Sequence, residues 1–197
     1  MLAKTKVEHL LLLLAIGVVA LISARPARAQ TSNSCAETDL PGPVIDLIKA
    51  KFSGWRPEQL PDLAADDQQL WVKAHGNQCP GTAVGHFESP DHLSYAVLLV
   101  PQSDPTGGCK LLVFTSMPSG DGYAWKTLVQ WNGKTYTAVV ISKAPPGRYS
   151  DYEHSKISVT TSLDGVFLTF QEQGAELYYW AGGRYKQDSQ GFRLTNV

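Results

Sequence analysis

The sequence predicts an α+β fold: two short N-terminal helices packed on an antiparallel β-meander of about nine strands. Three observations carry this expectation. Apolar residues recur at helical spacing between residues 42 and 76, and from Gly81 onward they alternate as strands require. Four turn-forming pairs, Asp121-Gly122, Asn132-Gly133, Asp164-Gly165 and Gly182-Gly183, punctuate the second part.

The first helix opens at Gly42-Pro43, because proline at the first helical position costs no hydrogen bond. Val44, Ile45, Leu47, Ile48 and Phe52 then share a stripe, and Gly54 ends the helix with Trp55 folding back on the same core. Asp66 and Asp67 mark the start of a second helix carrying Leu70, Trp71 and Ala74, stopped by Gly76. Strands are expected at 82–87, 94–100, 110–117, 123–131, 134–142, 156–162, 165–170, 176–181 and 184–187. Tyr95 to Val100 is apolar throughout, which suits a central strand covered on both faces, with the helices as cover.

Ahead of this domain (43–197) stand two other segments. Residues 1–29 have the form of a secretory signal: Lys4 and Lys6, an apolar run from Leu10 to Ile22, and Ala27-Arg28-Ala29 as the cleavage pattern. The run is shorter than a membrane span needs, so the expected mature chain begins near Gln30 and is periplasmic or secreted, with no membrane attachment after cleavage. Residues 30–42 read as a flexible lead segment. The mature chain holds 13 basic against 17 acidic residues, a net charge of −4, with no Lys/Arg cluster. That balance argues against a nucleic-acid partner.

Three cysteines remain, Cys35, Cys79 and Cys109. An oxidising compartment allows one disulfide, and Cys79–Cys109 is the favoured pair because both flank strands at one end of the meander. Closing that loop would contribute roughly 3.5 kcal/mol on the chain-entropy argument. Three free thiols, or a bond from Cys35 to either of the others, are the alternatives.

Residues Pro80 to Phe87, Asp91 and Tyr95 to Leu99 resemble one segment of an FG-GAP or VCBS-type repeat, a strand, a calcium loop and a second strand. The likeness covers about 20 residues and occurs once. A wider likeness, through Leu177-Tyr178-Tyr179-Trp180 and Gly183-Arg184-Tyr185, is to secreted bacterial proteins of uncharacterised role, and it implies location and general shape. In the loop, His86 stands at the first acidic position and Glu88 and Asp91 are the carboxylates left for calcium. His86 and Glu88, two apart on a strand with His92 nearby, offer zinc or copper ligands as a second metal reading. A polar turn after a strand is the bland one.

No Gly-x-Ser-x-Gly, His-Glu-x-x-His or phosphate-loop motif occurs. His75 near Cys79 reads as a bonded cysteine beside a strand and Glu153-His154 as a solvated loop pair, so a hydrolase rests only on unassigned polar residues. The expectation is a non-enzymatic binding domain with no tightly held cofactor, its partner a protein or a carbohydrate. Its aromatics concentrate late, from Tyr123 through Trp125, Trp131, Tyr136, Tyr149 and Tyr152 to Tyr178, Tyr179, Trp180 and Tyr185. Exposed Tyr and Trp suit recognition, and Tyr178 and Trp180 are the candidates, although core packing is the commoner use. Ser119-Gly120-Asp121-Gly122-Tyr123 resembles the Ser-Gly-x-x-Tyr loop of periplasmic lysozyme inhibitors. That resemblance implies insertion of the loop into a muramidase cleft, with Ser119 and Tyr123 as contacts.

Overall fold

A computed structural model describes residues 37, 39–134, 138–151, 158–170, 174–188 and 192–194. The signal segment, Cys35, Tyr136, Tyr152 and Glu153-His154 lie outside the described residues. Those described all belong to one compact unit, Asn33–Val197.

Two helices, α1 (Gly42–Lys51) and α2 (Ala65–His75), accompany antiparallel sheets, so the fold is β-rich and α+β. Pro43 lies in the first turn of α1, and Val44 and Ile48 are its buried residues. Helix α2 starts two residues earlier than an N-cap at Asp66 would place it. Ala64 is the N-cap, and Asp66 and Asp67 sit in the first turn, where the helix dipole favours them. Gly76 caps it at φ 64°.

The strands are β1 (Trp55–Pro57), β2 (Thr82–Gly85), β3 (Ser94–Pro101), β4 (Cys109–Ser116), β5 (Tyr123–Trp131), β6 (Val139–Ala144), β7 (Gly147–Asp151), β8 (Ser158–Thr161), β9 (Gly165–Phe170), β10 (Gly174–Ala181), β11 (Arg184–Asp188) and β12 (Phe192–Leu194). They do not form one meander. The first sheet runs β1-β3-β4-β5, with β2 also on β3; the second runs β11-β10-β9-β6; the third runs β12-β7-β8. Two expected hairpins are therefore absent. The chain passes from β5 in the first sheet to β6 in the second through Asn132-Gly133, and from β8 to β9 through Asp164-Gly165.

Alternation along the strands sorts residues into layers. Ala96, Leu98, Leu111 and Val113 of the first sheet meet Val139, Ile141, Val166, Leu168 and Tyr178 of the second. Their neighbours Val97, Leu99, Leu112 and Phe114 face the other way, onto Val44 and Ile48 of α1. Strand β3 is thus covered on both faces, by α1 on one and by the second sheet on the other. The far face of the second sheet takes Trp71 of α2 on Val140, and Tyr149 of β7 beside Ala144 and Leu177. Leu70 and Ala74 of α2, expected inside, are exposed; Trp71 alone of that trio is buried.

The lead segment is packed at its end. Leu40 is buried in the α1 cluster, and Asp39 accepts a 2.6 Å hydrogen bond from the Thr82 hydroxyl. Cys109 is a free buried thiol, which overturns its pairing with Cys79, and Cys79 is disulfide-bonded elsewhere. Alternate faces explain the separation: Cys109 lies in the cluster between the sheets, whereas Cys79 lies in the α1 cluster.

Candidate binding surface

Strands β4 and β5 pair from Cys109↔Trp131 to Ser116↔Tyr123, and the turn between them is held by Met117 N–H to Gly122 O and Gly120 N–H to Met117 O, both 2.9 Å. Gly120 at φ 78° and Gly122 at φ 139° adopt backbone that side chains resist. Ser119 and Asp121 stand exposed at the tip, with the Asp121 N–H 3.5 Å from Ser119 Oγ. Tyr123 is half-buried and meets Tyr95 edge-to-face at 5.8 Å. Of the two expected contact residues, Ser119 is free to meet a partner and Tyr123 is partly engaged by its own fold.

Beyond the turn, a register shift between Leu111 and Leu112 inserts one extra residue into β5. It lets both Leu128 and Val129 pack on the inter-sheet cluster. On the near side of that bulge, Tyr123 and Trp125 share the α1 face, and Trp125 meets Phe52 edge-to-face at 6.0 Å. Met117 and Trp125 are 38 and 39% exposed, and Leu93, just before Ser94 at this end of the sheet, is exposed too. The resulting surface is a hydrogen-bonded polar tip flanked by exposed Met, Leu and Trp. Met117 and Leu93 were missed in the sequence, which shows no feature for them beyond their place beside the Asp121-Gly122 turn.

The other candidates resolve differently. Tyr178 is 2% exposed, and its hydroxyl donates to Glu176 at 2.6 Å, so it is a core residue and not a contact. Trp180, half-exposed, lies edge-on to Tyr185 at 5.1 Å with Lys126 Nζ over its ring at 4.8 Å. Lys126 also reaches both oxygens of Glu88 at 2.7 and 2.8 Å. This Glu88–Lys126–Trp180 clip ties the β2–β3 loop and the first sheet to the second. The Tyr185 hydroxyl is buried there, facing the Glu88 carboxylate. Burial, then the Glu88 carboxylate, hold that phenol well above its ordinary range.

The metal candidates do not converge. Glu88 is committed to Lys126, the His86 N–H donates to Asp164 at 2.8 Å, and Asp91 is exposed with its N–H on Ser89 Oγ at 3.2 Å. His86 Nδ1 is buried and has no partner among the described residues. Among those residues no three His, Cys, Asp or Glu side chains group to hold a metal ion. No described helix is long and apolar enough to cross a membrane. No protein-family model matches the chain, and no curated protein matches it.

Proposed function

We propose that this chain is an exported, non-enzymatic binding domain that engages a protein partner through the β4–β5 hairpin end. The observation that carries the reading is the exposed, backbone-hydrogen-bonded turn with Met117 and Trp125 beside it, residue types that supply contact area at recognition surfaces. The edge-to-face rings of Phe52–Trp125 and Tyr95–Tyr123 make no flat platform for a sugar, which favours protein over carbohydrate. The non-enzymatic part is supported by where the reactive groups are spent. Glu88 is tied to Lys126, Asp62 to Arg56 and Asp164 to the His86 N–H, while burial pushes the Cys109 thiol up to about 11. Export rests on the form of residues 1–29.

Exposed Ser119 at the tip favours a muramidase as the first partner to test. The mature protein from Gln30 is expected to be retained on immobilised lysozyme, and a Ser119→Ala/Tyr123→Ala variant with unchanged circular dichroism is expected to be lost. Retention of neither removes the muramidase reading. The hairpin reading itself fails if Met117→Ser/Trp125→Ser captures the same envelope proteins as wild type in a crosslinking comparison.

A further inference from the structure

Asn132-Gly133 lies where the chain leaves the first sheet for the second. β5 ends at Trp131, paired with Cys109, and β6 begins at Val139, so the pair belongs to neither strand. Gly133 does not occupy the left-handed region, whereas a type I′ turn needs positive φ at both central residues. The two residues are therefore not held in the tight turn that their composition permits. Asn132 is exposed, and among the described residues nothing accepts the Gly133 N–H.

That combination has a chemistry of its own. An asparagine side chain brings its Cγ within reach of the next residue's amide nitrogen, and a side chain on that next residue hinders the approach. Residue 133 has none. The Trp131 indole takes up that space instead: a Cβ on Gly133 would lie 3.2 Å from Trp131 Nε1.

Asn77 is the contrast within the same chain. It is exposed too, but the next residue is Gln78, whose N–H donates to His75 O at 3.4 Å and whose carbonyl accepts the Trp71 indole N–H at 2.8 Å. That nitrogen is crowded by a side chain and engaged by the fold. The other two asparagines, Asn33 and Asn196, lie outside the described residues.

We propose that Asn132 is a modification site: in the folded protein it converts spontaneously to aspartyl and isoaspartyl forms through a succinimide with Gly133. Hydroxide removes the Gly133 amide proton, and the nitrogen attacks Asn132 Cγ. The new N–C bond closes the ring, and the side-chain nitrogen leaves as ammonia. Water then opens either imide carbonyl. Breaking the bond to Cγ restores the main chain with aspartate; breaking the bond to the main-chain carbonyl leaves the chain running through Cγ as isoaspartate. One water is consumed and one ammonia released, with no oxidant or cofactor. Either product adds one negative charge beside Trp131, which is 57% exposed. The isoaspartyl form also adds one main-chain carbon, which falls between β5 and β6 and shifts the register of neither sheet.

Peptide mapping of the full mature chain, incubated folded and in denaturing urea at pH 8, tests this. The tryptic peptide 127–134 isolates the site. Acid forms are expected to accumulate there in the folded protein within about tenfold of the unfolded rate, rising in proportion to hydroxide, while Asn77 stays an amide. Hydrogen exchange of the converted protein is expected to match that of Asn132→Gln, whose longer side chain disfavours the ring, at residues 111–114 of β4 and 165–170 of β9. A folded rate more than about tenfold below the unfolded one, or conversion at Asn77 as fast as at Asn132, overturns the site. Loss of protection in either strand on conversion overturns its accommodation by the folded chain.

Discussion

Single residues in this chain are decided by which face of a strand they occupy. Cys109 sits at the start of β4 with its thiol in the inter-sheet core, and burial, then Glu58 and Glu176, push it up to about 11. A thiol must ionise and be reached to react, so Cys109 is expected to stay unlabelled by iodoacetamide at pH 8 in the folded protein. One thiol per chain should label after denaturation without reductant. Labelling of the folded protein would show the core to be open at β4. With Cys109 free, Cys35 is the one other cysteine in the chain able to oxidise with Cys79, and non-reduced peptide mapping should find that pair. The sequence could place three cysteines and offer this bond as an alternative, but not choose it. Pairing depends on which cluster each sulfur enters, and that is set by long-range packing. Tyr178 failed as a contact for the same reason. Period two puts Tyr178 and Tyr179 on opposite faces, yet only the facing sheet says which face is core.

Elements were legible where local chemistry alone decides them. Helix α1 was readable from its stripe and Pro43, and α2 from its aspartates and Gly76 although Trp71 alone of its expected stripe is buried, and β3, β5 and β9 fall close to their expected limits. The four turn pairs divide by backbone angle. Gly122 at φ 139°, and Gly182 and Gly183 at φ 63° and 77°, occupy the left-handed region, and their flanking strands do pair as hairpins. Gly133 and Gly165 do not occupy it, and their flanking strands enter different sheets. An Asn-Gly or Asp-Gly pair permits a tight turn without compelling one. Alanine at Gly182 meets nothing within 4 Å but must adopt φ 63°. It is therefore expected to destabilise by about 1 kcal/mol in urea unfolding, all of it from backbone strain. No loss would show that the β10–β11 turn re-forms in another geometry. Strand β7 was missed because Pro145-Pro146-Gly147 reads as a loop, whereas the strand begins at Gly147. Its Tyr149 is fully buried, with the hydroxyl donating to Pro145 O.

At the scale of the whole molecule, three sheets replace one because strand partners are chosen by contacts distant in sequence, which no periodicity encodes. The second sheet carries two unequal attachments. Its inner face meets the first sheet through a broad cluster in which Leu168 is fully buried, whereas α2 holds to its outer face by little more than Trp71. Leu70 is 57% exposed, and the Trp71 indole N–H donates to Gln78 O at 2.8 Å, close to the helix's own end. The two attachments should therefore fail differently. Leu168→Ala empties a site between the sheets and is expected to lower global stability by about 2–5 kcal/mol. Trp71→Ala removes a larger side chain, but the helix it anchors can leave without opening the sheets. Native-state hydrogen exchange separates the cases: Trp71→Ala should cost residues 65–75 their protection while β9 keeps most of its own, and Leu168→Ala should lower both together. Equal loss at β9 in the two variants would mean that α2 is part of the cooperative core, its single tryptophan coupled through Val140 to the whole second sheet.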